Sequence, residues 1–117
     1  MKESVLFNKS KTFDINIIHV YKYLCQEKKE YVMSNQLLRS GTSIGANIRE
    51  ARFAQSKPDF ISKMSIALKE ASETEYWLEL LLETGYLSKV DINNIDEDCL
   101  EIIKMLQATV KTSKQNI

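Results

Sequence analysis

The chain has 117 residues and a mass of 13.5 kDa, the size of one domain, and the expectation is a single domain over residues 1–117. With 44% hydrophobic and 27% charged residues, and only 3 Gly and 1 Pro, it is neither disordered nor collagen-like, nor a Gly/Pro-rich β-sandwich. Sixteen basic residues balance 16 acidic ones, so the formal net charge is zero, whereas a chain dominated by a nucleic-acid footprint is normally basic.

Four long segments follow one another, each with helical periodicity. In the first, ending near Lys29, Phe13, Ile17/Ile18, Tyr21 and Leu24/Cys25 recur every three or four residues. The second begins after Tyr31-Val32-Met33 with Ser34 as N-cap and carries Leu37, Gly41, Ile44, Ile48 and Ala51 on one stripe. Its centre, Ser40 to Asn47, is unusual for a helix. Each of Gly41 and Gly45 costs about 1 kcal/mol relative to Ala, and the small residues invite close approach of another helix or a kink. Asn47, at the core edge, needs a hydrogen-bond partner, and Glu75 or Glu79 of the third segment is expected to supply it, which makes these three the candidate buried polar residues.

The third segment starts at Ser56-Lys57-Pro58-Asp59, a capping hydroxyl followed by Pro in the first turn and an acid at the third position. Phe60, Met64, Leu68, Ala71, Glu75, Leu78 and Leu82 lie on its core stripe, and Gly85 closes it. On the opposite side fall Ile66, Trp77 and Leu80, three large apolar residues where a lone bundle is polar. With Phe53, which points away from the core stripe of the second segment, they form the candidate oligomer interface. The fourth segment starts at Ser88, with Asp91 as capping-box partner. It continues as one helix through Ile92, Ile95, Cys99, Ile102/Ile103, Leu106 and Val110 at bundle spacing, and its last residues, Lys114 to Ile117, are expected to fray.

No stretch alternates long enough to be a strand, and the links are short, so consecutive helices are neighbours. The expected fold is all-α, an antiparallel up-down-up-down four-helix bundle. Val5-Leu6-Phe7 is too short for a secretory h-region and no run of about 18 apolar residues exists, so the expected location is the cytoplasm, without membrane contact.

Enzymatic chemistry finds little support. There is no Gly-rich phosphate loop after a strand. The single histidine, His19, sits beside large apolar residues, and Cys25 and Cys99 form no CxxC pair, so no cofactor or metal is expected. Glu75, Glu79 and Glu83 share one side of the third segment without the Glu-x-x-His pairs of a di-iron bundle. Charge is uneven: residues 34–57 hold Arg39, Arg49, Arg52 and Lys57 against Glu50 alone, while residues 58–103 are strongly acidic. The four basic residues are the candidate RNA contacts; complementarity within or between subunits is the alternative reading.

The second and third segments also carry a resemblance. Leu38 to Ala51, with Arg39, Ser43-Ile44, Ala46-Asn47-Ile48 and Glu50, resembles the signature R-x-x-x-S-I-x-A-N-I-x-E of the four-helix proteins encoded in intervening sequences of bacterial 23S rRNA genes. Asp59-Phe60-Ile61, Ser65-Ile66-Ala67-Leu68 and Glu73-Thr74-Glu75-Tyr76-Trp77-Leu78 resemble that family's next helix, and Gly85-Tyr86-Leu87 its following turn. Gly45 departs from the pattern, since members often have Pro there. The resemblance implies a homopentameric four-helix bundle without catalytic residues. It also implies kinship with the pentameric accessory proteins of diversity-generating retroelements, which bind a reverse transcriptase and RNA. A protein or RNA partner is therefore expected.

Overall fold

A computed structural model describes residues Lys2 to Asn116, with side chains from Val5 onward. It is all-α, with five helices: α1 (Lys2–Gln26), α2 (Val32–Arg52), α3 (Lys57–Glu83), α4 (Lys89–Ile92) and α5 (Ile95–Gln115). The molecule measures 47 × 21 × 20 Å. A helix of α3's length spans about 40 Å, so the long axis is set by the helices themselves. α1 packs on α2 and α5, and α3 packs on α2 and α5. Contacting residues of α1 and α2 run in opposite order: Asp14 meets Gly45, whereas Cys25 meets Ser34. α2 and α3 do the same, with Arg39 beside Glu70 and Glu50 beside Lys63.

The core is continuous from Leu6, Phe13, Ile17 and Leu24 through Leu37, Ile44 and Ile48 to Met64, Ala71, Leu78, Ile102 and Leu106. These are the stripes that periodicity predicts, apart from their edges. Ile18 faces solvent while Ile17 is buried; on α3, Leu68 and Leu82 are half-buried and Leu81 takes the interior place.

The helix boundaries have identifiable causes. α3 begins where expected: Ser56 Oγ accepts the Asp59 N–H at 3.2 Å, and Asp59 Oδ2 accepts the Gln55 N–H at 3.2 Å. It ends at Gly85, whose φ is +85°, with Tyr86 N–H donating to Leu81 O at 3.0 Å and Gly85 N–H to Leu82 O at 3.3 Å. This is the Schellman pattern, which needs a left-handed residue after the C-cap. The predicted Ser88–Asp91 capping box is present in both directions.

Two boundaries differ from expectation. Ser34 is not the N-cap of α2 but lies inside the first turn, fully buried, its hydroxyl donating to Glu30 O at 2.7 Å. The cap is the Glu30 carboxylate, which accepts the N–H groups of Val32 (3.1 Å), Met33 (3.0 Å) and Ser34 (2.7 Å). A negative group that takes three orphan donors also complements the helix dipole. The predicted fourth helix is not continuous either: it breaks after one turn at Asn93, whose φ is +52°. Asn tolerates that conformation better than most residues. Ile92 and Ile95 remain buried on both sides of the break.

Of the terminal residues expected to fray, Lys114 and Gln115 complete α5, and Ile117 lies outside the described residues. None of the described helices is long and apolar enough to cross a membrane.

Candidate functional site

Among the described residues no three His, Cys, Asp or Glu side chains gather as a metal site. His19 is exposed on a shallow polar groove with Asn16, Tyr23, Asp91 and Asp98. Cys99 is buried and donates to Ala71 O at 3.4 Å; burial pushes its thiol up to about 12, so it does not form a thiolate at neutral pH. The features that stand out lie on the helix surfaces.

The basic residues of α2 separate into two groups. Arg39 forks onto α3, pairing with Glu70 at 3.2 Å and with Glu73. Glu73 also accepts the Trp77 indole N–H at 2.9 Å. Arg39 thus belongs to the α2–α3 seam, the intramolecular complementarity that the charge pattern suggested. Arg49 and Arg52 do not reach an acid within ion-pair distance among the described residues. Their guanidinium carbons lie over the Phe7 ring at 5.5 and 4.6 Å. Lys57, at the start of α3, is exposed.

The expected outer stripe of α3 is only partly solvent-facing. Ile66 is exposed, but Trp77 and Leu80 are half-buried, and Trp77 packs against the core beside Arg39. The reason is that α2 lies off that side of α3 and covers the arc where Trp77 falls. Tyr76, one residue earlier and 54% exposed, takes the outward position. Its ring centroid lies 5.6 Å from that of Trp77. Phe53, the C-cap of α2, is 76% exposed, as its position opposite the core stripe implies.

The expected buried polar triad does not assemble. Asn47 donates to Ser43 O of its own helix at 2.8 Å, Glu75 is only partly buried, and Glu79 is exposed. An amide at this position reaches the carbonyl one turn back more easily than a carboxylate on another helix. The interior polar link between α2 and α3 is instead Thr74 to Ser40, 2.9 Å between two fully buried hydroxyls.

The helical glycines show why α1 and α2 approach so closely. A Cβ at Gly41 would sit 2.8 Å from Ile17 Cγ2, and one at Gly45 would collide with the Asp14 carboxylate. α2 runs unbroken through both. Gly45 N–H donates to Asp14 Oδ2 at 3.1 Å, while Asp14 Oδ1 is buried without a hydrogen-bond partner among the described residues. Desolvation raises this carboxyl from 3.8 to about 7, against the lowering effect of the Gly45 bond.

Asp14 lines a groove between α1 and α2 of about 320 Å³, walled by Phe7, Ile15, Ile18 and Ala46 with Lys11 and Arg49 at its margin. Sequence reading missed this groove. The available signal was Lys11-Ile15-Ile18-Lys22, four exposed residues at intervals of four, three and four on one face of α1.

A family model described as 23S rRNA-intervening sequence protein matches residues 2–108. The chain is also similar to a crystal structure from Bacteroides thetaiotaomicron VPI-5482, described as a protein with unknown function from the S23 ribosomal protein family. Identity is 56%, the match covers 95% of this chain and 99% of that one, and the TM-score is 0.91. A search of curated proteins found no match.

Proposed function

Since the chain belongs to the 23S rRNA-intervening sequence protein family, we propose that it is a non-enzymatic assembly protein. In this reading a single up-down-up-down bundle forms a homo-oligomer, five copies by family resemblance, and offers the assembled surface to a protein or RNA partner. The observation that carries the reading is the number of large apolar side chains left in solvent, among them Ile15 and Ile18, one turn apart on α1, Ile66 and Tyr76 on α3, and Phe53 at the end of α2. Exposed apolar residues that adjoin one another, as Ile15 and Ile18 do, mark contact surfaces. Two free cysteines, Cys25 and Cys99, fit a reducing compartment such as the cytoplasm.

Light scattering coupled to size-exclusion chromatography tests the assembly. The expected mass is a defined multiple, about fivefold, of the 13.5 kDa subunit. A single-subunit mass across the micromolar range overturns the reading.

A second reading, RNA binding, is favoured by Arg49 and Arg52 lying over Phe7 without a carboxylate partner among the described residues, near exposed Phe53 and Lys57. Cations interleaved with aromatics suit single strands. Arg39, held by Glu70 and Glu73, drops out of this set. With three cations per subunit, log K against log salt is expected to fall with a slope of about −2 for each subunit engaged. Fluorescence anisotropy with single-stranded RNA measures it, and no binding at low salt by an intact oligomer removes RNA as the partner.

A further inference from the structure

We propose that Asp14 is a proton-controlled clasp between α1 and α2: a neutral carboxyl lets the two helices close on each other at Gly45, and an ionised one favours local opening of α1 away from α2. The clasp is a property of the subunit itself, separate from its assembly.

The closed seam leaves the carboxyl short of partners. Gly45 N–H donates to Asp14 Oδ2 at 3.1 Å, while Oδ1 is buried with no partner among the described residues. α2 runs unbroken through Gly45, so the same N–H also faces the carbonyl one turn back. An ionised carboxylate can accept at about four positions; this one shares a single donor. Water does not make up the difference, because Oδ1 is sealed from solvent. On the α2 side even one carbon added at Gly45 would collide with the carboxylate. Nor does a counter-ion. Lys11 of α1 and Arg49 of α2 are the charged side chains that line the groove with Asp14; both are exposed, and neither pairs with it. Among the described residues, none from α3 or α5 lines this groove.

Charge on Asp14 is therefore disfavoured only while the seam is closed, which is why burial lifts the carboxyl from 3.8 to about 7. Opening hydrates it and restores the lower value, and the proton passes to bulk water. The open form then gains on the closed one as pH rises from about 4 through about 7.

α1 is also the helix that α2 holds less firmly. α2 is joined to α3 by Arg39 with Glu70 and Glu73, by Glu50 with Lys63, and by the buried Thr74–Ser40 bond. No ion pair among the described residues links α1 to α2. Their polar ties are Asp14 with Gly45, the 3.7 Å contact of Cys25 with Ser34, and Arg49 and Arg52 over Phe7. Local opening draws on the less firmly tied parts of a fold.

Hydrogen exchange of the full chain, read by mass spectrometry at pH 5 and pH 7, tests the clasp. Each rate is divided by that of an exposed amide at the same pH, so that only protection is compared. Residues 8–18 of α1 report the seam, because a detached helix is marginal in water; residues 70–81 of α3 are the reference. In the wild type, protection of α1 relative to α3 is expected to fall by roughly 10- to 50-fold between the two pH values. In Asp14→Asn, which keeps an acceptor for Gly45 and never ionises, it is expected to stay within about twofold. The wild-type Gly45 amide shift, followed by NMR, is expected to titrate with a midpoint near 7, which identifies the group without any variant. Three results each overturn the clasp: relative protection that is the same at both pH values, an equal fall in Asp14→Asn, or a Gly45 amide that does not titrate in this range. So does an equal loss of protection in α3, which would mean that the carboxyl acts only on unfolding of the whole subunit.

Discussion

Replacing Asp14 by Asn is expected to stabilise the subunit by about 2–4 kcal/mol at pH 8 and to leave it nearly unchanged at pH 4. Desolvation in the α1–α2 groove holds the folded-state carboxyl near 7, against 3.8 for the free group. The folded state therefore binds the proton more tightly than the unfolded chain does. Its contribution to stability is fully present below about pH 4 and is lost as pH rises through about 7. Above that the charged carboxylate remains buried with one oxygen unpaired. Asn keeps an acceptor for the Gly45 N–H and never charges. The informative quantity is the difference between the two urea-unfolding free energies at each pH, since it cancels the titration of the other acids. Parallel curves from pH 4 to 8 would show that burial of this carboxyl does not matter to folding.

The second large effect is expected at Glu30, where Ala should cost about 2–3 kcal/mol. An ordinary N-cap replaced by Ala costs about 0.5–2 kcal/mol. Glu30 does more than one cap, because its carboxylate accepts three N–H groups. One of them belongs to Ser34, which is fully buried, so water cannot take over that donor. Glu30→Gln keeps one carbonyl oxygen and the side-chain shape, and is expected to lose about half as much. A lower urea midpoint at unchanged slope identifies the effect as stability rather than altered compactness. An Ala variant within about 0.5 kcal/mol of wild type, below the usual cost of losing a cap, would mean that the start of α2 is held by packing alone.

The sequence by itself determined the helical class, the core stripes and several of the ends. Local chemistry suffices for these. Ser56 and the Ser88–Asp91 box cap the helices that follow them, and Gly85 supplies the left-handed residue that stops α3. Gly41 and Gly45 likewise signal close approach, which proves to be against α1. The family signature around Ser43 to Ile48 is legible for a similar reason, being a contiguous run of residues.

What only the tertiary structure decided depends on neighbours that periodicity does not see. A helical repeat gives the direction of each side chain about its own axis, but not how much of that circle another helix covers. Periodicity therefore puts Trp77 in solvent although α2 and Arg39 cover its arc, and Tyr76 is the residue left outside. It puts Ile18 in the core although that residue lies just past the edge of the α1 contact. The cap of α2 comes from Glu30, outside the usual set of capping residues, because the chain turns back there after Lys29, at φ +55°. Asn47 and Asp14 show the same limit for polar groups. Asn47 finds its partner one turn back on its own helix. Asp14 finds only half of what it needs, because α2 passes close enough to desolvate it while offering a single N–H. Sequence spacing specifies a side chain's own helix; burial and pairing are properties of the space between helices, and that space exists only once they have packed.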